Sequence, residues 1–396
     1  MKPRKLLFWC HLITGCAAGI VILTMSITGV LLAFERQWVA WADEHYQVAR
    51  PAGAEASVEA ISKALDRSTA TAPPSITIRN SATGPVQVSF GRERTIFIDP
   101  SDGKVLGEGA NGVRAFFATV ERIHRTLGGE LRGSPGRHIT GVCNVGFLFL
   151  VVSGFYLWFP KKYSLQHFRL GLWFQKGLKA RARDLNWHKV VGFWSAIPLF
   201  FIVLTGVIMS YAWATNLLYR MTGTEPPRVQ GNLRNAGVRE HRGRHLHAVE
   251  SARPLDELLA VAKRTVPGWR SITFRIPEPR DRSIMFSVDE GNGGQPQKRS
   301  QLTVDRTTAE IQRQEGFATY NLGRKLRTIA RFLHTGEILG LGGQIIAAAA
   351  SLGGAFLVCT GIALAIRRLA RWSRRKTAPA SQAGQTERTE TEVLSG

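Results

Sequence analysis

The run LLFWCHLITGCAAGIVILTMSITGVLLAF, residues 6–34, decides the fold: it is uncharged apart from whatever His11 holds, and Thr28-Gly29 follows that histidine by seventeen residues. A spanning helix needs roughly 20 apolar residues, so the run is long enough to cross a bilayer. Glu35-Arg36 comes next where a cleaved leader would have small residues, so the run is read as a retained helix. In HKVVGFWSAIPLFFIVLTG, residues 188–206, His188 precedes Thr205-Gly206 by the same seventeen residues. Residues 139–160, 190–219 and 338–366 also lack Lys, Arg, Asp and Glu. Four spans are predicted.

Charge orients them. The chain has 52 Lys and Arg against 29 Asp and Glu in 396 residues, a net +23. The termini and the connection 161–189 hold eighteen of these bases and only four acids. Basic segments stay in the cytoplasm, so both termini are placed there and the segments 35–137 and 214–337 outside. The excess of positive charge is thus mainly a topology signal, and nucleic-acid binding is the weaker explanation. Cys10, Cys16, Cys143 and Cys359 all lie in or beside the apolar runs, so no disulfide framework is expected.

The two outer segments look alike. Helical spacing at 58–67 is followed by alternating runs at 75–79, 86–90 and 95–98, and then by the turn Asp99-Pro100-Ser101-Asp102-Gly103. In the second segment a helix at 255–263 precedes strands at 271–276, 284–288 and 301–304. Amphipathic helices at 111–125 and 320–332 lead into the second and fourth spans. The predicted architecture is a membrane α-helical bundle of four transmembrane helices with two external α+β modules, an internal duplication. Its boundaries are span one 6–34, module one 35–137, span two 138–160, connection 161–189, span three 190–213, module two 214–337, span four 338–366 and a basic tail 367–396.

The histidines carry the functional reading. His11 and His188 fall at the cytoplasmic ends of spans one and three, while His124 and His334 precede spans two and four on the other side. Ionisable groups in membrane helices are functional by default. Two imidazoles at each end of a bundle suit the axial ligation of haem iron, whereas zinc wants four ligands gathered in one place. His138 rivals His124 as the outer ligand. Arg125, Arg327 and Arg331 lie near the outer histidines, where guanidinium could hold haem propionates or lipid headgroups. Small residues such as Gly15, Gly19, Gly146 and Gly354 suit a macrocycle and close helix packing equally. His241, His245 and His247 sit among Arg239, Arg242 and Arg244 and read as a solvated basic loop; His45 and His167 read as surface residues.

Taken together, the basic start, the His and Thr-Gly of span one, the helix-plus-strands module, IHRTL at 123–127, SGFYLWFP at 153–160 and LHTGE at 333–337 resemble the PepSY-associated transmembrane family. The chain is similar to the iron-regulated inner-membrane proteins and ferric-siderophore reductases within it, over about residues 4–372. That resemblance implies two periplasmic PepSY modules on a four-helix bundle of the bacterial inner membrane and, as in the reductase members, b-type haem held by histidines. Some relatives add a flavin and nicotinamide domain, but no GxGxxG follows a strand here, which leaves the electron donor open.

Three function classes follow. In the first, two haems b held by His11, His188, His124 and His334, with Arg125 and Arg331 on the outer propionates, pass electrons from quinol or a cytoplasmic reductase to a periplasmic acceptor such as a ferric siderophore. In the second, the modules bind a ligand and the helices merely anchor them in lipid. Transport is the third and least supported, because no acid lies within the predicted spans.

Overall fold

The structure, a computed structural model, describes residues 3–44, 57–65, 73–81, 84–91, 94–130, 133–160, 164–226 and 252–377. Four helices are long and apolar enough to cross a membrane: α1 (Pro3–Leu32), α5 (Pro135–Trp158), α7 (Ala180–Ser210) and α11 (Gly340–Thr377). Between the first two come α2 (Glu35–Ala42), α3 (Val58–Ala64) and α4 (Asn111–Thr126), and α6 (Leu165–Leu172) leads into α7. After α7 come α8 (Ala212–Met221), α9 (Leu255–Thr265) and α10 (Leu322–His334). Both α1 and α7 pack on α5 and on α11, so the four spans form a ring in which α1 and α7 stand diagonally opposed.

The third helix starts ten residues before its predicted span, and His188 therefore lies within it. The extra turns are polar and basic, so the apolar run marks where lipid begins but not where the helix does. They also bring in an acid that the predicted span lacked. Asp184 is buried and ion-paired with Arg183 at 3.2 Å and Arg367 at 3.1 Å, which ties α7 to α11.

Outside the bundle, strands β1 (Ser75–Arg79), β2 (Val86–Phe90), β3 (Arg94–Ile98) and β4 (Val105–Glu108) form one antiparallel meander, and β5 (Ser271–Arg275), β6 (Ser283–Asp289), β7 (Arg299–Asp305) and β8 (Ile311–Gly316) form another. Three strands per module were expected; each has four. The added strands β4 and β8 are edges with mostly exposed side chains, Val105 and Leu106 in the first and a polar run in the second, and neither shows the alternation that betrays a half-buried strand. A second correction concerns the modules themselves. β1 pairs antiparallel with β5, so the two meanders make one eight-stranded sheet. The paired segments are SITIR and SITFR, with Thr77 opposite Thr273 and their hydroxyls 2.9 Å apart.

Alternation puts Ile76, Ile78, Val88, Ile272, Phe274, Phe286 and Leu302 on one face of this sheet, buried beneath α3 and α9. Each such side chain contributes about 1.5–3 kcal/mol by leaving water. The core is continuous across the β1–β5 seam. On the opposite face Thr95 is also buried, and its N–H donates to the Asn111 side chain at the start of α4 (2.8 Å). Helix α4, which leads back to the bundle, therefore begins against this second face of the sheet.

Candidate functional site

His124 is the third residue from the end of α4, and His334 is the last residue of α10. Each of these amphipathic helices ends by a left-handed turn, with Leu127 at φ 53° after α4 and Gly336 at φ 75° after α10. The turn after α4 is closed by Gly128 N–H donating to the Arg122 carbonyl, and the chain then enters α5 at Pro135. The outer histidines thus stand on separate helices that lie against α1 and α7, and not on spans two and four themselves.

The imidazoles of His11, His124, His188 and His334 are held alike. Nδ1 of His11 lies 2.8 Å from the Ser153 hydroxyl, Nδ1 of His124 is 2.8 Å from that of Thr28, and Nδ1 of His188 is 2.8 Å from that of Thr360. Nδ1 of His334 lies 2.8 Å from the Ile202 carbonyl and 3.4 Å from the Thr205 hydroxyl. All four hydroxyls are buried, and each donates its one proton to the carbonyl four residues earlier in its own helix, at 2.6–2.9 Å. A hydroxyl so engaged can only accept from the ring. Nδ1 therefore carries the hydrogen, and the Nε2 lone pair is left for a ligand. The ring proton is shared with a carbonyl three residues before the hydroxyl for His124 (Met25), His334 (Ile202) and His188 (Leu357).

The residue after each hydroxyl is glycine, and it meets the same ring. A Cβ on Gly154 would lie 3.2 Å from His11 Cε1, one on Gly206 3.2 Å from His334 Cε1, one on Gly361 3.5 Å from His188 Cε1 and one on Gly29 3.6 Å from His124 Cε1. Each Ser/Thr-Gly step is therefore a cradle, the hydroxyl fixing the tautomer and the bare backbone admitting the ring edge. The seventeen-residue interval takes its meaning from this. In α1 it spans about 25 Å of helix, from His11 at one level to the Thr28-Gly29 cradle for His124 at the other. The residues that hold the rings escaped the sequence reading, although a Ser/Thr-Gly step in each of the four spans was the signal.

At the sheet end the rings of His124 and His334 are 6.4 Å apart between centroids, with 63° between their planes. At the basic end His11 and His188 come from the diagonal helices and lie within electrostatic reach of each other. Burial, with His334 and Arg125 nearby, holds His124 down to about 4, and burial lowers His334 as well, so the outer pair is neutral at pH 7. Neutral imidazole is the form that binds metal.

The outer pair fits a haem iron in its chemistry: two buried imidazoles with ring centres 6.4 Å apart, each with Nδ1 turned to a helix oxygen and Nε2 left over as a ligand. Among the described residues no group of three or more His, Cys, Asp or Glu side chains gathers as a metal cage. His138 is exposed on the first turn of α5, and the ring opposite His334 is that of His124. Arg125 is half exposed and pairs with Glu121 at 3.0 Å, while Arg331 stands 5.4 Å from the centre of the Phe332 ring. His45, His241, His245 and His247 lie outside the described residues, as does the side chain of His167.

A model of the family described as PepSY-associated TM region matches residues 8–368. No curated protein matches the chain.

Proposed function

Because the chain belongs to the PepSY-associated transmembrane family, we propose that this multi-pass membrane protein is a b-type dihaem electron conduit of the bacterial inner membrane, serving a periplasmic acceptor such as a ferric siderophore. His11 and His188 would hold one haem at the basic, cytoplasmic end, and His124 and His334 the other beneath the sheet. Bound there, the group supplies one-electron exchange between ferric and ferrous iron. The chain does the rest: it presents two Nε2 atoms at each level, fixes their tautomer through Ser153, Thr360, Thr28 and, for His334, the Ile202 carbonyl beside Thr205, and surrounds them with apolar helices. Arg125 and Arg331, beside the outer pair, are the proposed partners of the propionates.

The observation that carries this reading is the fourfold cradle. One histidine with its Nδ1 pinned is ordinary packing; four of them, in two levels, each on a Ser/Thr-Gly step of a neighbouring helix, leave four Nε2 lone pairs that a metal could take.

The test is a redox-titrated absorbance spectrum of the detergent-purified protein, produced with ample haem supply. Two b-type components are expected, His11→Ala removing one and His124→Ala the other. A colourless, folded protein would leave the second reading, a membrane-anchored binding module without redox activity.

A further inference from the structure

Along the basic end of α7, Arg183, Trp187 and Val191 succeed one another at four-residue intervals and so form a single ridge. With Phe356 of α11 and the loop residues Gln175 and Leu178, this ridge lines a cavity of about 620 Å³. We propose that the cavity binds a membrane quinol, the electron donor to the His11–His188 pair, an assignment that rests on the redox reading above.

Size and walls come first. Small-molecule sites run to roughly 300–1,000 Å³ and combine apolar walls with a few polar groups that set orientation. Here Trp187 and Phe356 approach each other at 6.0 Å and, with Val191 and Leu178, supply flat apolar surface for a quinol ring. Gln175 and Arg183 supply donors for its oxygens, and the Arg183 guanidinium lies 5.2 Å from the centre of the Trp187 ring.

Location comes next. Leu170, Trp173 and Phe174, just before and at the cavity, are more than half exposed, which is where a bilayer would cover them and where an isoprenoid tail would enter. The inner wall leads to the inner histidine pair. Trp187 precedes His188 in the chain, and the Phe356 carbonyl accepts from the Thr360 hydroxyl that holds His188 Nδ1. A soluble reductase would dock on the charged surface and have no use for such a cavity.

The reaction balances with two acceptors. Quinol loses two electrons and two protons to become quinone; the protons pass to water at the basic end. The electrons leave singly toward the His11–His188 level, and each reduces one ferric acceptor at the sheet end to the ferrous state.

The test uses the full chain in phospholipid nanodiscs, with an azidoquinone as photolabel, decylubiquinone as competitor and decylubiquinol as reductant. Label is expected on peptides containing 174–191 and Phe356, competed by decylubiquinone. Val191→Phe and, independently, Leu178→Phe should each slow reduction of the haem by decylubiquinol at least tenfold while leaving its spectrum and its reduction by dithionite unchanged. Label that only excess phospholipid displaces would make this a lipid site and overturn the proposal. So would quinol-driven reduction indifferent to both substitutions. A colourless protein would overturn the redox reading, and the donor role with it, through the spectrum alone; the competed label separately decides whether quinone binds.

Discussion

A threonine hydroxyl is the smallest unit on which the site depends. Thr28 accepts from His124 Nδ1 and donates to the Thr24 carbonyl, so its side chain converts a helix backbone into a holder for a ring on another helix. Thr28→Val keeps the shape and removes the acceptor. Loss of a group that orients a ligating histidine costs 10–100-fold in metal affinity, and the Met25 carbonyl still shares the ring proton, so the expected effect is about tenfold. Haem retained per protein after dilution, measured by absorbance, should fall for the sheet-end component and not for the other. Equal loss from both ends would mean that Thr28 acts through general stability. The histidines themselves were legible in the sequence, because an ionisable group in an apolar run stands out and its spacing repeats. Two of the cradles, Thr28-Gly29 and Thr205-Gly206, mark the repeat in the sequence, and their role stays hidden there because each hydroxyl serves a ring on a different helix. No within-helix pattern records such an exchange.

Among elements, α4 decides where His124 stands, and an ion pair fixes its start. Asp43, just past α2, forms an ion pair with Arg114 in which both side chains are largely buried (14% and 9% exposed) and also accepts from the Ala110 N–H at 2.9 Å. Removing one member of a buried pair leaves the other charge uncompensated, at about 3–5 kcal/mol. Asp43→Asn should therefore lower the melting temperature of the detergent-solubilised protein. Asp43→Asn combined with Arg114→Met should recover part of the loss, and a double variant no better than the single one would refute the pairing argument. Elements with strong periodicity were read correctly from sequence: the four spans, α4 and the six alternating strands. β4 and β8 were missed because an edge strand buries neither face. The start of α7 was misplaced because a helix continues past the lipid boundary on polar residues, where apolarity no longer reports it. The β1–β5 pairing was illegible for another reason, since two strands nearly 200 residues apart carry no local sign that they meet.

For the whole molecule, the links between sheet and bundle among the described residues lie at the sheet end, and this predicts an asymmetry between the two histidine pairs. His11 and His188 sit on spans that pack mutually through α5 and α11. His124 and His334 sit on α4 and α10, and the start of α4 is bonded to the sheet through Asn111. Further links cross between the halves there, with Arg36 donating to Glu337 at 3.1 Å and to the Asn292 carbonyl, and Gln37 donating to Gln344 at 2.7 Å. The sheet is thus the frame that sets the outer pair, while the basic-end pair depends only on the spans. Ile272, fully buried at the seam, lies where both halves share one core. Ile272→Asp would bury an unpaired carboxylate at a cost of several kcal/mol, enough to open the sheet while the bundle persists in lipid. The expected product is cleaved by protease within the sheet and has lost the sheet-end haem component, yet it keeps the basic-end one in reduced-minus-oxidised spectra. If an opened sheet left both components intact, the frame argument would fail. If both vanished from a bundle that was still helical, the two levels would be one cooperative site, and the division of the spans into an inner and an outer pair would have to be abandoned.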